Sequence, residues 1–270
     1  MERIESIDKI RQLTTEVRAK RKGFVTNFYL EEFRHSIWIA KGLLFYEWIE
    51  GVCYLFRKTA NYWNTFYIAS SLDELAHSLF EVHDRYKEFS LIFDVVGRQE
   101  QCDGLIPLFH QSGFFEESSL VRFIRINTPI ELDQEIAKVN RASLEQTRIV
   151  HGLLHQYMDE RIEQIPDIEE YEHWGTLGHV LVFDVDGEIA GFFDYEKNLS
   201  TMIPRHWLVL PSFRGQHIGS ILYRRLLYEA NDTKRILSWV IRTNDISIES
   251  HYHYGFKMEN MFDYIMTNKL

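Results

Sequence analysis

Apolar residues at the start of the chain recur at helical spacing. Ile4, Ile7, Ile10, Leu13 and Val17 predict an amphipathic helix over 4–22. The aromatic and β-branched stretch 36–58 predicts two strands around a turn at Ile49-Glu50-Gly51-Val52. NTFYIAS (64–70) reads as a strand and 72–89 as a helix, with Ser71 as N-cap and Glu74 in the capping-box position. A buried strand over 90–97, a short helix over 102–115 ending at Gly113, and a strand over 120–126 complete this half. A polar stretch opens at Pro129. A helix over 142–165 follows, interrupted by Pro166, and then two strands over 179–196 about Asp186-Gly187, a strong hairpin signal. The remainder alternates: strand 206–210, helix 218–231, strand 235–243, helix 246–256 ending at Gly255, and strand 256–266.

The two halves list the same elements in the same order. The echo is clearest at their ends, where LFHQSGFFEESSLVRFIR (108–125) parallels SHYHYGFKMENMFDYIM (250–266) and Gly113-Phe114 matches Gly255-Phe256. An internal repeat of this length predicts two similar domains, 1–128 and 129–270, joined near Thr128–Leu132.

Composition narrows the chemistry. At 45% hydrophobic and 14% aromatic residues, the 270-residue chain has ample material for packed cores. Its formal net charge of −10 argues against a nucleic-acid partner, which needs a basic face. Cys53 and Cys102 match no zinc-ligand spacing and are expected to be buried free thiols. His151 and His155 stand four apart on a helix without a third ligand, so they are expected to be solvated and no metal is expected. The N-terminus lacks the apolar centre of a signal peptide, and no apolar run reaches about 18 residues. A cytoplasmic protein without a membrane partner is therefore the expectation, as a monomer or homodimer.

The segment LVLPSFRGQHIG (208–219) joins a strand to a helix. The first turn of that helix offers backbone N–H groups without intrahelical partners and a partial positive charge. Gly215 and Gly219 would let an anion approach the backbone, and Arg214 would add a charge-assisted contact. The spacing is neither GxxxxGK[ST] nor GxGxxG. It resembles the acyl-CoA loop of the GCN5-related N-acetyltransferases (GNAT), [RQ]xxGxG or [RQ]xxGxA, written here as Arg214-Gly215-Gln216-His217-Ile218-Gly219 after Val209-Leu210-Pro211. The resemblance extends through Asn244 to Ser247, His251, Gly255 and Phe256, and covers roughly residues 135–270. It implies an α/β fold of two acyl-CoA N-acyltransferase-like domains, each a mixed, mostly antiparallel sheet flanked by helices. The family's first glycine is His217 here. If that position is already helical its φ is negative and no glycine is required. The first half has Asp73 and Glu74 where phosphates would sit, so it looks like a degenerate copy without a CoA loop.

The resemblance further implies acetyl-CoA as cosubstrate, its pantetheine arm lying between strands 206–210 and 235–243. Leu208, Val209 and Leu210 would meet the arm, residues 214–219 with Ser220 the diphosphate, and Asn244 would contact CoA or cap a helix. Candidate bases for the attacking amine are Asp194, Glu196 and His206. Alternation puts His206, Leu208 and Leu210 on one face and Trp207 and Val209 on the other, without saying which face is the pocket. The phenol that the family often uses to protonate the thiolate falls at His251, with Tyr252 beside it. The activity expected is transfer of an acetyl group to a primary amine, a small molecule being favoured because a second domain would wall off the site. Two rivals stand: a non-catalytic acyl-CoA-binding or scaffolding protein, and an aminoacyl-tRNA-dependent transferase, against which the acidic charge and the CoA loop argue.

Overall fold

The computed structural model describes residues 1–269, which form two compact units. One comprises Met1–Leu120 and the segment that begins at Asn260; the other is Val121–Glu259. A division at 128/129 differs from this in one respect above all: the end of the last strand belongs with the first unit.

The first unit runs β1 (Glu2–Arg3), α1 (Ile7–Ala19), β2 (Val25–Thr26), α2 (Glu32–Ala40), β3 (Leu44–Ile49), β4 (Val52–Lys58), β5 (Trp63–Ala69), α3 (Leu72–Arg85), β6 (Leu91–Gly97), α4 (Gln99–Gln111) and the start of β7 (Phe115–Ile126). Its sheet has the order β1-β3-β4-β5-β6-β13, where β13 (Lys257–Thr267) is the last strand of the chain. Ile10, Leu13 and Val17 of α1 pack on one face with Leu55 and Ile68, and α3 and α4 cover the other through Leu79, Val82 and Phe109. Cys53 and Cys102 are buried and free, and burial pushes the Cys53 thiol up to about 12.

The second unit continues from β7 with β8 (Asn140–Arg141), α5 (Leu144–Tyr157), α6 (Ile168–Thr176), β9 (Val180–Val185), β10 (Glu188–Asn198), β11 (Thr201–Val209), α7 (Ile218–Glu229), β12 (Arg235–Ile241) and α8 (Asp245–His253). Its sheet order is β7-β12-β11-β10-β9-β8. Apart from the short β2 between α1 and α2, the order of helices and strands from α1 to β7 matches that from α5 to β13, helix-helix-strand-strand-strand-helix-strand-helix-strand. The hairpin turns match as well: Glu50-Gly51 and Asp186-Gly187 all have positive φ, the geometry that suits the twist of a two-residue hairpin.

Two helices differ from the sequence pattern. Residues 36–40, expected as strand, complete α2, which Gly42 ends at φ +68°. The helix expected over 142–165 stops at Tyr157, because Asp159 turns the chain: its carbonyl accepts from the amides of Ile162 and Glu163 and its carboxylate from that of Arg161. The chain then re-enters a helix as α6.

Each unit contains one parallel strand pair that parts after two residues. In the second unit β11 and β12 pair only at Thr201–Arg235 and Met202–Ile236; in the first, β5 and β6 pair only at Trp63–Leu91 and Asn64–Ile92. The first gap is filled by the chain itself. β2 adds to β5 at Val25–Ala69 and Thr26–Ile68, and the Thr26 hydroxyl donates to the Tyr67 carbonyl. The Asn27 side chain then spans the gap: its amide nitrogen donates to the carbonyls of Thr65 on β5 and Asp94 on β6, and its oxygen accepts from the Tyr67 amide at 2.7 Å. Replacing Asn27 by Ala strands three backbone groups at a buried position. The expected loss is about 3 kcal/mol of stability in urea denaturation; a change below about 0.5 kcal/mol would contradict this role for Asn27.

Candidate acyl-CoA site

The second gap is not filled by the chain, and it opens beside a helix without a cap. Most helices here that begin beside a serine or asparagine use it: Ser71, Ser143 and Asn244 accept the amides of Glu74, Gln146 and Ser247. At α7 the N-cap position is His217, and no side chain caps the helix. Among the described residues no acceptor meets the backbone amides of residues 215–220. His217 is left-handed at φ +61°, which overturns the expectation of a negative φ there, and Gly215 has φ +80°. A non-glycine residue in that region is strained by about 1–2 kcal/mol. Left-handed residues interspersed in a turn point successive N–H groups into one concavity, an anion nest.

Gly219 has a different part from the one expected. A Cβ there would stand 3.2 Å from Trp207 Cζ2 and 3.5 Å from Val209 Cγ2, so its absence seats the first turn of α7 against β11. Between α7, β11 and α8 lies a cavity of about 530 Å³, within the range of small-molecule sites. Arg214, Gly215, His217, Ile218, Gly219 and Ser220 line it from the turn and α7; Trp207 and Val209 line it from β11. The pocket face of the strand is thus the Trp207 face. α8 contributes Ser250, His253, Tyr254 and the carboxylate Glu249. The spacing 249, 250, 253, 254 marks one side of a helix, but nothing in the sequence says that this side faces a cavity.

The remaining expected contacts separate. The Leu210 amide donates to the Ala190 carbonyl, so by alternation Leu208 also turns its backbone toward β10, leaving Val209 and Trp207 facing the gap. The Leu208 side chain packs with Val150 and Leu154 of α5 on the opposite face. Arg214 Nε donates to the Val209 carbonyl at 3.2 Å, anchoring the guanidinium at the mouth of the cavity. Gln216 is exposed and outside the lining, and Asn244 caps α8.

None of the candidate acid–base residues lines the cavity. His251 is buried against Phe123 and Phe256; its Nδ1 donates to the Ser247 carbonyl and Nε2 accepts from the Ser238 hydroxyl. Burial lowers its pKa, so it is a neutral packing residue rather than the expected proton donor. Tyr252 is 51% exposed with its edge on Phe123. Glu196 pairs with Arg205 at 3.5 Å. His151, expected in solvent, is half-buried against Tyr171 with Nε2 on the Pro166 carbonyl.

His206 and Asp194 form a buried network on the α5–α6 face of the sheet. Asp194 sits where the β10–β11 register slips, and its carboxylate accepts from the His206 amide (2.8 Å), from His206 Nδ1 (3.0 Å) and from the Tyr171 hydroxyl (2.7 Å). His206 Nε2 donates to the Glu163 carbonyl at 3.1 Å. Two acceptors on one ring require an imidazolium. Burial alone would lower the His206 pKa, but the Asp194 carboxylate outweighs it and raises the pKa above 6.5. With both N–H bonds committed, His206 has no lone pair to take a proton, so it is not the base that the sequence suggested. Burial also lifts the Glu163 carboxyl above its ordinary value, against the pull of His206 and Arg205; nothing in the pattern of the 158–167 connection marked this residue.

An uncapped helix thus follows a strand that parts from its parallel neighbour. Residues 148–256, which lie within the second unit, match the Acetyltransferase (GNAT) family. An uncharacterized N-acetyltransferase of Archaeoglobus fulgidus is 34% identical over 90 residues, which span 29% of this chain and 61% of that relative. A GNAT-family acetyltransferase from Colwellia psychrerythraea aligns with a TM-score of 0.58 at 11% identity over 98% of each chain. A GCN5-related N-acetyltransferase from Sphaerobacter thermophilus aligns with a TM-score of 0.58 at 10% identity, over 80% of this chain and 76% of that one. A tandem GNAT protein from the clavulanic acid biosynthesis pathway gives 0.53 at 11%, over 80% and 78%. At these identities the structural likeness is one of fold. Among the described residues no cluster suits a metal ion and no helix is long and apolar enough to cross a membrane.

The His206 network has a measurable sign. Because the folded pKa is raised, its stabilisation is complete below pH 6.5 and is lost as pH rises through the folded value. In an NMR titration His206 should remain doubly protonated above pH 6.5, and the unfolding midpoint should fall as it deprotonates; a ring already neutral at pH 6.5 would contradict the assignment.

Proposed function

We propose that the second unit binds acetyl-CoA with its diphosphate on the α7 N-terminus and its pantetheine arm in the gap between β11 and β12, and that the protein transfers the acetyl group to a primary amine of a small molecule. The observation that carries this reading is the set of unengaged amides at 215–220 beside an open strand edge. Charge-assisted bonds of about 1.5–3 kcal/mol each, less the cost of ordering, suit micromolar affinity, about −8 kcal/mol. Arg214, His217 and His253 at the cavity support the phosphates.

In the reaction the amine nitrogen attacks the thioester carbonyl, the N–C bond forms, the C–S bond breaks, and the amine gives up a proton. A primary amine of pKa near 10 is deprotonated in about one molecule per thousand at neutral pH, a deficit of about 4 kcal/mol. The amide of Val209 or Trp207, facing the gap, is placed to polarise the carbonyl. His206 does not serve as base, because both of its ring nitrogens are committed, Nδ1 to Asp194 and Nε2 to the Glu163 carbonyl.

The commitment of both His206 nitrogens and of Glu196 favours one rival, acyl-CoA binding without transfer. Calorimetry and a thiol-release assay across an amine panel separate the two. CoA should bind with micromolar Kd and release thiol with at least one amine; tight binding without turnover would support the rival, and no binding would refute both. Gly219→Leu, which drives Trp207 from its seat, should weaken CoA binding at least 10-fold in a chain that still folds by circular dichroism, and an unchanged Kd would contradict the placement.

A further inference from the structure

The α7–α8 cavity is lopsided in charge. Arg214, His217 and the unengaged amides of 215–220 make its α7 wall a surface of donors. The α8 wall presents a carboxylate. Glu249 is the one acidic side chain among the described residues that line the cavity. It is exposed, and among the described residues it has no hydrogen bond or ion pair. His253 stands one turn further along the same side of α8, but its ring lies edge-on to Tyr254, centroids 5.0 Å apart. The Ser250 hydroxyl donates to the Ile246 carbonyl. The acceptor capacity of Glu249 is therefore open to whatever fills the cavity.

A carboxylate has no place beside a phosphate. Two like unit charges about 5 Å apart repel by about 1–3 kcal/mol near a protein surface. The phosphates thus belong to the α7 wall, and the part of the ligand that meets Glu249 must be neutral and bring hydrogens, because a carboxylate only accepts. In the acyl-CoA reading the diphosphate goes to α7 and the pantetheine arm to the gap beside Trp207 and Val209. The nucleoside remains. It carries two kinds of neutral donor, the amino group of adenine and the ribose 2′-hydroxyl. The hydroxyl adjoins the 3′-phosphate, so a carboxylate close enough to take it would stand near that charge as well. The amino group is on the far edge of the base, away from every phosphate.

We infer that Glu249 accepts a hydrogen bond from the exocyclic amino group of adenine and makes the site selective for an adenine nucleotide. The inference rests on the acyl-CoA reading above and adds to it a specificity-determining residue on the α8 wall. A base that presents an oxygen in place of the amino group would set an acceptor against the carboxylate and leave both without a hydrogen.

The test is calorimetry on the full chain with coenzyme A and two analogues, one carrying hypoxanthine in place of adenine and one carrying 2′-deoxyribose. The wild-type chain should bind the hypoxanthine analogue roughly 10-fold more weakly than CoA and the deoxyribose analogue equally well. Glu249→Ala alters an exposed helical position and should fold as the wild type does. It should bind CoA roughly 10-fold more weakly and no longer distinguish CoA from the hypoxanthine analogue. Tighter CoA binding by Glu249→Ala would mean that the carboxylate only repels the phosphates. Equal binding of CoA and the hypoxanthine analogue by the wild type, discrimination that survives in Glu249→Ala, or discrimination against the deoxyribose analogue instead would place the amino group away from Glu249. Each of these overturns the inference while the acyl-CoA reading stands. Failure of the wild-type chain to bind CoA overturns the reading, and the inference falls with it.

Discussion

Two parallel strands that hydrogen-bond for two residues and then part govern everything else in the second unit. A backbone edge exposed inside a sheet is costly unless something pairs with it. The parting of β11 from β12 leaves Trp207 and Val209 presenting peptide groups to a gap, while Leu208 and Leu210 are held by β10. The register slip at Asp194 fits this geometry, since a bulge increases local twist and bends the strand that carries it or faces it. α7 then starts at the end of the same strand with its amides unengaged, so the exposed edge and the anion nest adjoin. An extended ligand with a diphosphate at one end and amides along its length answers both.

The first unit shows the same constraint met another way. β5 and β6 part after the same number of pairs, but Val25, Thr26 and Asn27 occupy the opening. The Asn27 carboxamide stands in for a peptide group and reaches both strands at once. The helix that follows is closed too: Ser71 caps it, and Glu74 is held by the Ser70 hydroxyl, Lys22 and Lys20, which bring its pKa down to about 2. The acidic pair 73–74 marked this half as different, but the occupied gap is the deeper reason that no cofactor arm is expected there.

What could be read from the sequence was local. The turn PSFRGQHIG, the two glycine hairpins and the matching Gly-Phe ends are set by nearby residues, and the turn directs attention to the start of α7. Pairings distant in sequence were hidden. Nothing near Asn27 announces that it will bridge Thr65 and Asp94. Nothing near His206 says that Asp194, Tyr171 and the Glu163 carbonyl will leave it without a lone pair. His217 shows a third limit. A histidine in place of glycine needs no left-handed backbone if the helix has already begun there, but the turn holds His217 left-handed. Alternation along β11 separated Trp207 from His206 correctly, but only the positions of α7 and α8 decide which face becomes the cavity.

Hydrogen–deuterium exchange with and without coenzyme A tests the central claim most directly, because it reads the amides on which the account depends. Binding should slow exchange at 215–220 and at Trp207 and Val209, which face the gap, and leave 63–72 of the first unit unchanged. Protection that appears at 63–72, or none at 215–220 under saturating coenzyme, would contradict the account.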